Sequence, residues 1–170
     1  MERRSSRAFR PKPPPAGSAL DSALRLLARR AHSRLELRRK LSRRGYEAAQ
    51  VEGALARLAE LGYIDDAAFA RSLVRRRSGV RGPLALAGEL SARGIDRAGI
   101  AEALEAVDPE AELAAATRLA ERLYAAKPLP GYKEVLDRVG SKLLRRGFSS
   151  GVVRAACRAA LSGAASGPEA

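Results

Sequence analysis

Leu41-Ser42-Arg43-Arg44-Gly45-Tyr46 is the stretch that decides the fold, because its pattern returns as Leu90-Ser91-Ala92-Arg93-Gly94-Ile95 and as Leu143-Leu144-Arg145-Arg146-Gly147-Phe148. The three glycines stand about 50 residues apart, a period that repeated helical modules leave in a sequence. Eight positions before each glycine the chain is again apolar, at Leu37, Leu86 and Val139. Beyond it, Val51, Ile100 and Val153 are followed four residues later by Leu55, Leu104 and Cys157. A spacing of four keeps residues on one helix face, so each glycine joins two amphipathic helices.

Glycine at this junction has a physical task. The residue after a helix end often turns left-handed, a conformation that costs glycine nothing, and the next residue then packs back on the last turn. The expected contacts are Tyr46 with Leu41, Ile95 with Leu90 and Phe148 with Leu143. Gly62, with Tyr63 set against Leu58, is a fourth copy of the same stop.

Helix starts are legible too. Ser33-Arg34-Leu35-Glu36 has the form of a capping box, and the equivalent position in the second copy is Gly82, followed by Pro83 at the first helical position. Ahead of each start lies another apolar-periodic segment: Leu20, Leu24, Leu27 and Ala31, then Phe69, Leu73 and Val74, then Leu113, Ala116, Leu119 and Leu123. The expected fold is therefore all-α, in three tandem three-helix repeats over 18–66, 67–108 and 109–161. In the third repeat, Lys127-Pro128-Leu129-Pro130-Gly131 must break the helix. Residues 1–17, rich in Arg and Pro, and the Gly/Ala/Ser stretch 162–170 read as disordered tails.

With 170 residues, 46% apolar and only 4% aromatic, the chain is expected to build several modest cores of Leu, Val and Ala. One cysteine permits no internal disulfide, no apolar run approaches the roughly 18 residues a membrane span needs, and Met1 to Arg10 lacks the apolar stretch of a secretory signal. A soluble, cytoplasmic protein is the expectation, and a monomer suits a repeat array.

Net charge is +13, and every segment of the chain is positive. Such an excess favours polyanions, either nucleic-acid phosphates or acidic protein surfaces. From Arg25 to Arg44 the basic residues Arg25, Arg29, Arg30, Arg34, Arg38, Arg39, Lys40, Arg43 and Arg44 face the single acid Glu36. The helix after the turn instead carries Glu52 and Glu60 against Arg57, and so is poorly equipped to enter a major groove as a recognition helix. Contacts to phosphates or protein through the second helix are favoured over base reading.

Catalytic chemistry finds little support. His32 and Cys157 are the only residues of their kinds and sit in different repeats; Cys157 occupies a core position, and His32 is given a local or solvent role. Asp65-Asp66 reads as an N-cap of the following helix. There is no phosphate-cradling glycine loop, nucleophile elbow or Cys/His cluster, so neither an enzyme nor a cofactor or metal site is expected.

The stretch from Ala23-Leu24 through Ala31-His32-Ser33-Arg34-Leu35-Glu36-Leu37, Lys40-Leu41 and Arg44-Gly45-Tyr46 to Leu61-Gly62-Tyr63-Ile64-Asp65-Asp66 and Phe69-Ala70 resembles the RecX family. The similarity continues at Gly82-Pro83, Glu89-Leu90, Arg93-Gly94-Ile95 and Arg145-Arg146-Gly147-Phe148-Ser149, covering roughly 18–161. The resemblance implies an elongated, curved array of three-helix repeats that lies along the groove of the RecA recombinase filament on DNA. Filament extension, strand exchange and ATP hydrolysis are then inhibited, with consequences for DNA repair, recombination and the SOS response. The residues chosen for the electrostatic part of such docking are Arg34, Arg38, Arg39, Arg43 and Arg44, extended by Arg75, Arg76, Arg77, Arg145 and Arg146. Leu35, off the core stripe, either packs on a neighbouring helix or meets a partner. Two other classes stay open: a sequence-nonspecific nucleic-acid binder, and an adaptor for a different filament or helicase.

Overall fold

A computed structural model describes residues 17–127 and 130–165. The two tails lie outside these residues, apart from Gly17 at one end and 162–165 at the other, as do Pro128 and Leu129 of the proline-containing link. The described residues are helical and contain no strand. In chain order they form α1 (Ala19–Leu27), α2 (Arg34–Arg43), α3 (Ala48–Glu60), α4 (Asp66–Arg77), α5 (Pro83–Ala92), α6 (Arg97–Glu105) and α7 (Pro109–Ala125). Then come α8 (Tyr132–Val135), a π-helical turn (Leu136–Gly140) and α9 (Ser141–Arg145), which run on as one rod, and finally α10 (Ser150–Ala165). The described residues divide into two compact units, one ending at Asp66 and the other beginning at Ala67.

All four glycine stops adopt the expected geometry. Gly45, Gly62, Gly94 and Gly147 have φ of 91°, 72°, 82° and 84°. At each, the following N–H reaches back to the carbonyl five residues earlier: Tyr46 to Leu41 (3.4 Å), Tyr63 to Leu58 (2.9 Å), Ile95 to Leu90 (3.2 Å) and Phe148 to Leu143 (3.3 Å). Tyr46, Ile95 and Phe148 are buried, whereas Tyr63 is 57% exposed. The fourth stop therefore closes its backbone bonds without burying the ring.

Each set of three helices has its own apolar cluster. Leu37, Leu41, Val51, Leu55 and Leu58 centre the first, and Leu73, Val74, Leu86 and Leu90 the second. In the third, α10 packs along α7, around Leu119, Val139, Leu143, Phe148, Val153 and the fully buried Cys157. Burial pushes the Cys157 thiol pKa up, as an apolar site does.

Helix starts are capped by short polar side chains. Ser33 Oγ accepts from the Glu36 N–H (3.2 Å), Asp96 from Gly99 (2.8 Å), and Asp108 from Glu110 and Ala111 (both 3.2 Å). A complete capping box at Ser18 and Asp21 starts α1. Asp66, read as part of an N-cap for the helix that follows, is instead the first residue of α4, and its Oδ1 accepts from the Arg34 N–H at 2.8 Å, so a residue 32 positions away caps the start of α2.

Two expectations shift. The helix α10 runs to Ala165, four residues into the segment read as a tail, across Gly163 to two alanines, the strongest helix formers. The second helix of the third repeat starts earlier than its counterparts: Val135, equivalent in register to Ser33 and Gly82, is already helical. Its π turn ends at Gly140, where a Cβ would lie 3.1 Å from Leu136 Cδ1 and 3.2 Å from Val153 Cγ1, so glycine lets α10 approach.

A backbone seam crosses the second unit. The N–H groups of Gly82 and Leu84, at the start of α5, donate to the carbonyls of Arg146 (2.8 Å) and Gly147 (3.1 Å), at the end of α9. A Cβ on Gly82 would stand 2.3 Å from the Gly147 carbonyl oxygen, and one on Gly147 would stand 2.2 Å from the Ala85 nitrogen. Glycine on both sides is what lets the two main chains meet.

Candidate functional site

Basic residues of α2 alternate with its core stripe, which turns Leu37 and Leu41 inward and leaves the cations on the flanks. Packing against α3 then sets their partners. Arg38 is bidentate on Glu52, with Nε to Oε1 at 2.6 Å and Nη2 to Oε2 at 2.9 Å, and Arg34 approaches the same carboxylate at 3.7 Å. The hydrogen bonds from Arg38 hold the Glu52 carboxyl below its ordinary pKa. Arg44 turns inward, where its Nη1 hydrogen-bonds the hydroxyl of buried Ser22 and, at 3.4 Å, the Ser22 carbonyl. Arg39 and Arg43 are exposed on the outer face. Leu35 is half-buried.

The second group divides in the same way. Arg77 pairs with Glu89 at 2.8 Å, and Arg93 binds the same carboxylate at 2.5 Å. Arg71 pairs with Glu102 at 3.1 Å. Arg76 donates to the Ser72 hydroxyl, and Arg75 is exposed beside a cavity. In α8 to α10 the balance differs: Lys133, Arg138, Lys142, Arg145, Arg146, Arg154 and Arg158 are accompanied only by Glu134 and Asp137. None of the ion pairs among the described residues involves these cations. Arg158 lies over the Tyr132 ring at 5.9 Å, and one nitrogen of the Arg146 guanidinium is buried without a hydrogen-bond partner.

Arg34, Arg38 and Arg77 are thus countered by acids of the same chain, Arg44 is tied to Ser22, and Arg43, Arg75 and Arg145 stay exposed. Sequence reasoning passed over Arg154 and Arg158. The available signal was their i, i+4 spacing on a helix that carries no acid.

Little here resembles a catalytic constellation. His32 is buried, contrary to a solvent role; its Nδ1 lies 2.8 Å from the Arg30 carbonyl and its Nε2 has no partner. Burial lowers its pKa and favours the neutral ring. A cavity of about 360 Å³ next to α4 and α7 is lined by Arg71, Arg75, Ser78, Asp108 and Glu112, and burial raises the Glu112 pKa. Among the described residues no cluster of three His, Cys, Asp or Glu side chains could hold a metal ion, and no helix is long and apolar enough to cross a membrane.

Residues 19–58 match the first three-helix domain of RecX, and 65–104 match the second. The regulatory protein RecX of Halorhodospira halophila is 44% identical over 142 residues, spanning 82% of this chain and 86% of that one. The chain belongs to the RecX family. RecX of Thermus thermophilus is 41% identical over 142 residues, 84% of this chain and 92% of its own. The crystal structure of RecX from Lactobacillus salivarius superposes with a TM-score of 0.73 at 24% identity, covering 82% of this chain and 92% of that one, a likeness in fold. The Halorhodospira halophila and Thermus thermophilus relatives are named regulatory proteins, and the helical fold is the one shared with the Lactobacillus salivarius structure.

Proposed function

We propose that this chain is a non-catalytic regulator that docks on the RecA recombinase filament on DNA and restrains its extension, ATP hydrolysis and strand exchange, thereby modulating DNA repair and recombination. Membership in RecX carries the reading, and the charge distribution supports it. A chain of +13 whose cations are partly countered internally keeps selected arginines and lysines free for a polyanionic assembly. Several weak contacts on linked modules add through effective concentration. The compartment is then that of the recombinase, the cytoplasm.

Within the proposed interface, Arg43, Arg75, Arg76 and Arg145 contribute directly, with Arg39 on the same exposed face as Arg43. Arg34, Arg38 and Arg77 contribute only by exchanging an internal carboxylate for an external one, and Arg44 and Arg146 belong to the fold. Base reading is disfavoured for the same reason. A guanine needs a bidentate arginine, and the bidentate capacity of Arg38 is already taken by Glu52.

The second reading, sequence-nonspecific nucleic-acid binding, draws on the net charge alone. Binding to bare single-stranded DNA and to recombinase filaments on the same DNA, compared over a salt series, separates the two. Filament binding that exceeds bare-DNA binding and survives salt supports regulation of the filament. Equal affinity with one steep salt slope supports the second reading and sinks the first.

A further inference from the structure

Resting on the reading just given, we infer that the groove between the α8–α9 rod and α10 is a docking site for an acidic amphipathic segment of the recombinase. This groove, of about 310 Å³, is lined by Leu136, Asp137, Ser141, Leu144, Val153 and Arg154. Leu144 is 51% exposed at its edge, while Leu136 is half-buried and Val153 buried. An apolar floor with a polar rim is the anatomy of a protein-binding groove, and an amphipathic helix is the shape that fills one.

Charge selects the occupant. Arg154 is in the lining; Arg145 stands one helical turn beyond Ser141, and Arg158, which also lies over the Tyr132 ring, one turn beyond Arg154, and none of the three is in an ion pair among the described residues. Asp137 is the one carboxylate in the lining and makes the groove less positive at its end. Single-stranded nucleic acid suits the site poorly. Binding bases needs exposed aromatic faces, yet Phe148 is fully buried and Tyr132 is covered by Arg158. An exposed leucine offers a phosphate nothing.

The test uses the full chain with photoreactive benzoylphenylalanine replacing Leu144, bound to RecA filaments on oligo(dT) and irradiated. Leu144→Asp and Arg154→Glu variants are measured beside it for affinity to the filament and to bare oligo(dT), with helix content by circular dichroism as the folding control. The expected result is a cross-link to a recombinase segment richer in Asp and Glu than in Lys and Arg. Leu144→Asp should weaken filament binding by about tenfold or more, the scale of one buried leucine, and leave binding to bare DNA unchanged. Cross-linking to the oligonucleotide, or filament affinity unaltered in both variants, overturns the groove assignment alone. If the unmodified chain shows no preference for filaments over bare DNA, the functional reading fails and this site fails with it.

Discussion

Three glycine-to-alanine substitutions, at Gly147, Gly62 and Gly88, separate the physical roles that glycine has in this chain. Gly147 has φ of 84°, and its Cβ would lie 2.2 Å from the Ala85 nitrogen, 2.5 Å from the Ala85 Cβ and 2.8 Å from the Ala85 Cα. A left-handed alanine costs roughly 1–2 kcal/mol, and forcing the main chain of α5 away adds roughly 1–3 kcal/mol of overpacking, about 2–5 kcal/mol in all. The seam bonds from Gly82 and Leu84 to the Arg146 and Gly147 carbonyls stretch as α5 moves. Gly62 has φ of 72° but nothing within 4 Å of a Cβ, so Gly62→Ala carries only the conformational cost of roughly 1–2 kcal/mol. Gly88, inside α5 with open space around it, should stabilise as alanine by roughly 0.5–1 kcal/mol. Urea unfolding followed by far-ultraviolet circular dichroism reads all three variants. A Gly147→Ala loss no larger than that of Gly62→Ala would refute the claim that a backbone crossing, and not the turn alone, requires glycine at 147.

Three further outcomes follow from the polar contacts. Asp66→Ala should destabilise the first unit by about 1 kcal/mol, the typical worth of a cap, while Asp66→Asn, which keeps an acceptor for the Arg34 N–H, should retain most of the stability in the same urea assay. Because Arg38 depresses the Glu52 pKa, the pair stabilises above the unfolded value of 4.5 and its contribution disappears as pH falls through the lower folded value. The urea midpoint of Glu52→Gln should therefore approach that of the parent chain as the solution is acidified, and a gap that persists at the acid end contradicts the pairing. His32, with its pKa lowered by burial, takes up a proton more readily in the unfolded chain, so stability should fall as pH drops below about 6.5. Thermal melts of the parent chain and of His32→Gln across that range check it, the variant losing less.

The fold was legible because its punctuation is local. A left-handed glycine, its preceding leucine and its following apolar residue lie within six positions of one another, and backbone sterics at those positions do not depend on the rest of the molecule. Two features of the fold were not local. The bond from Asp66 to the Arg34 N–H spans 32 positions, and the crossing of Gly82 with Gly147 requires two segments to meet in space. The interface was less legible still. Arg34 and Arg38 read as free cations on a basic helix, whereas the packing of α2 on α3 places Glu52 under both. Arg44 looked like part of the same run, yet its position at the end of α2 points it to Ser22. Arg154 and Arg158 show in the sequence as an i, i+4 pair on a helix without acids, whereas the lack of an ion-pair partner on neighbouring helices emerges only once α10 is seated.

The most direct measurement is the ATPase rate of preformed RecA filaments on single-stranded DNA, titrated with the full chain and with a variant carrying Arg43→Glu, Arg75→Glu and Arg145→Glu. The parent chain is predicted to suppress hydrolysis, and the triple variant, with helix content unchanged, to need at least tenfold more, a loss of about 1.4 kcal/mol or greater in docking. An ATPase rate that the parent chain leaves unaltered, at concentrations where it is shown bound to the DNA, would contradict regulation of the filament.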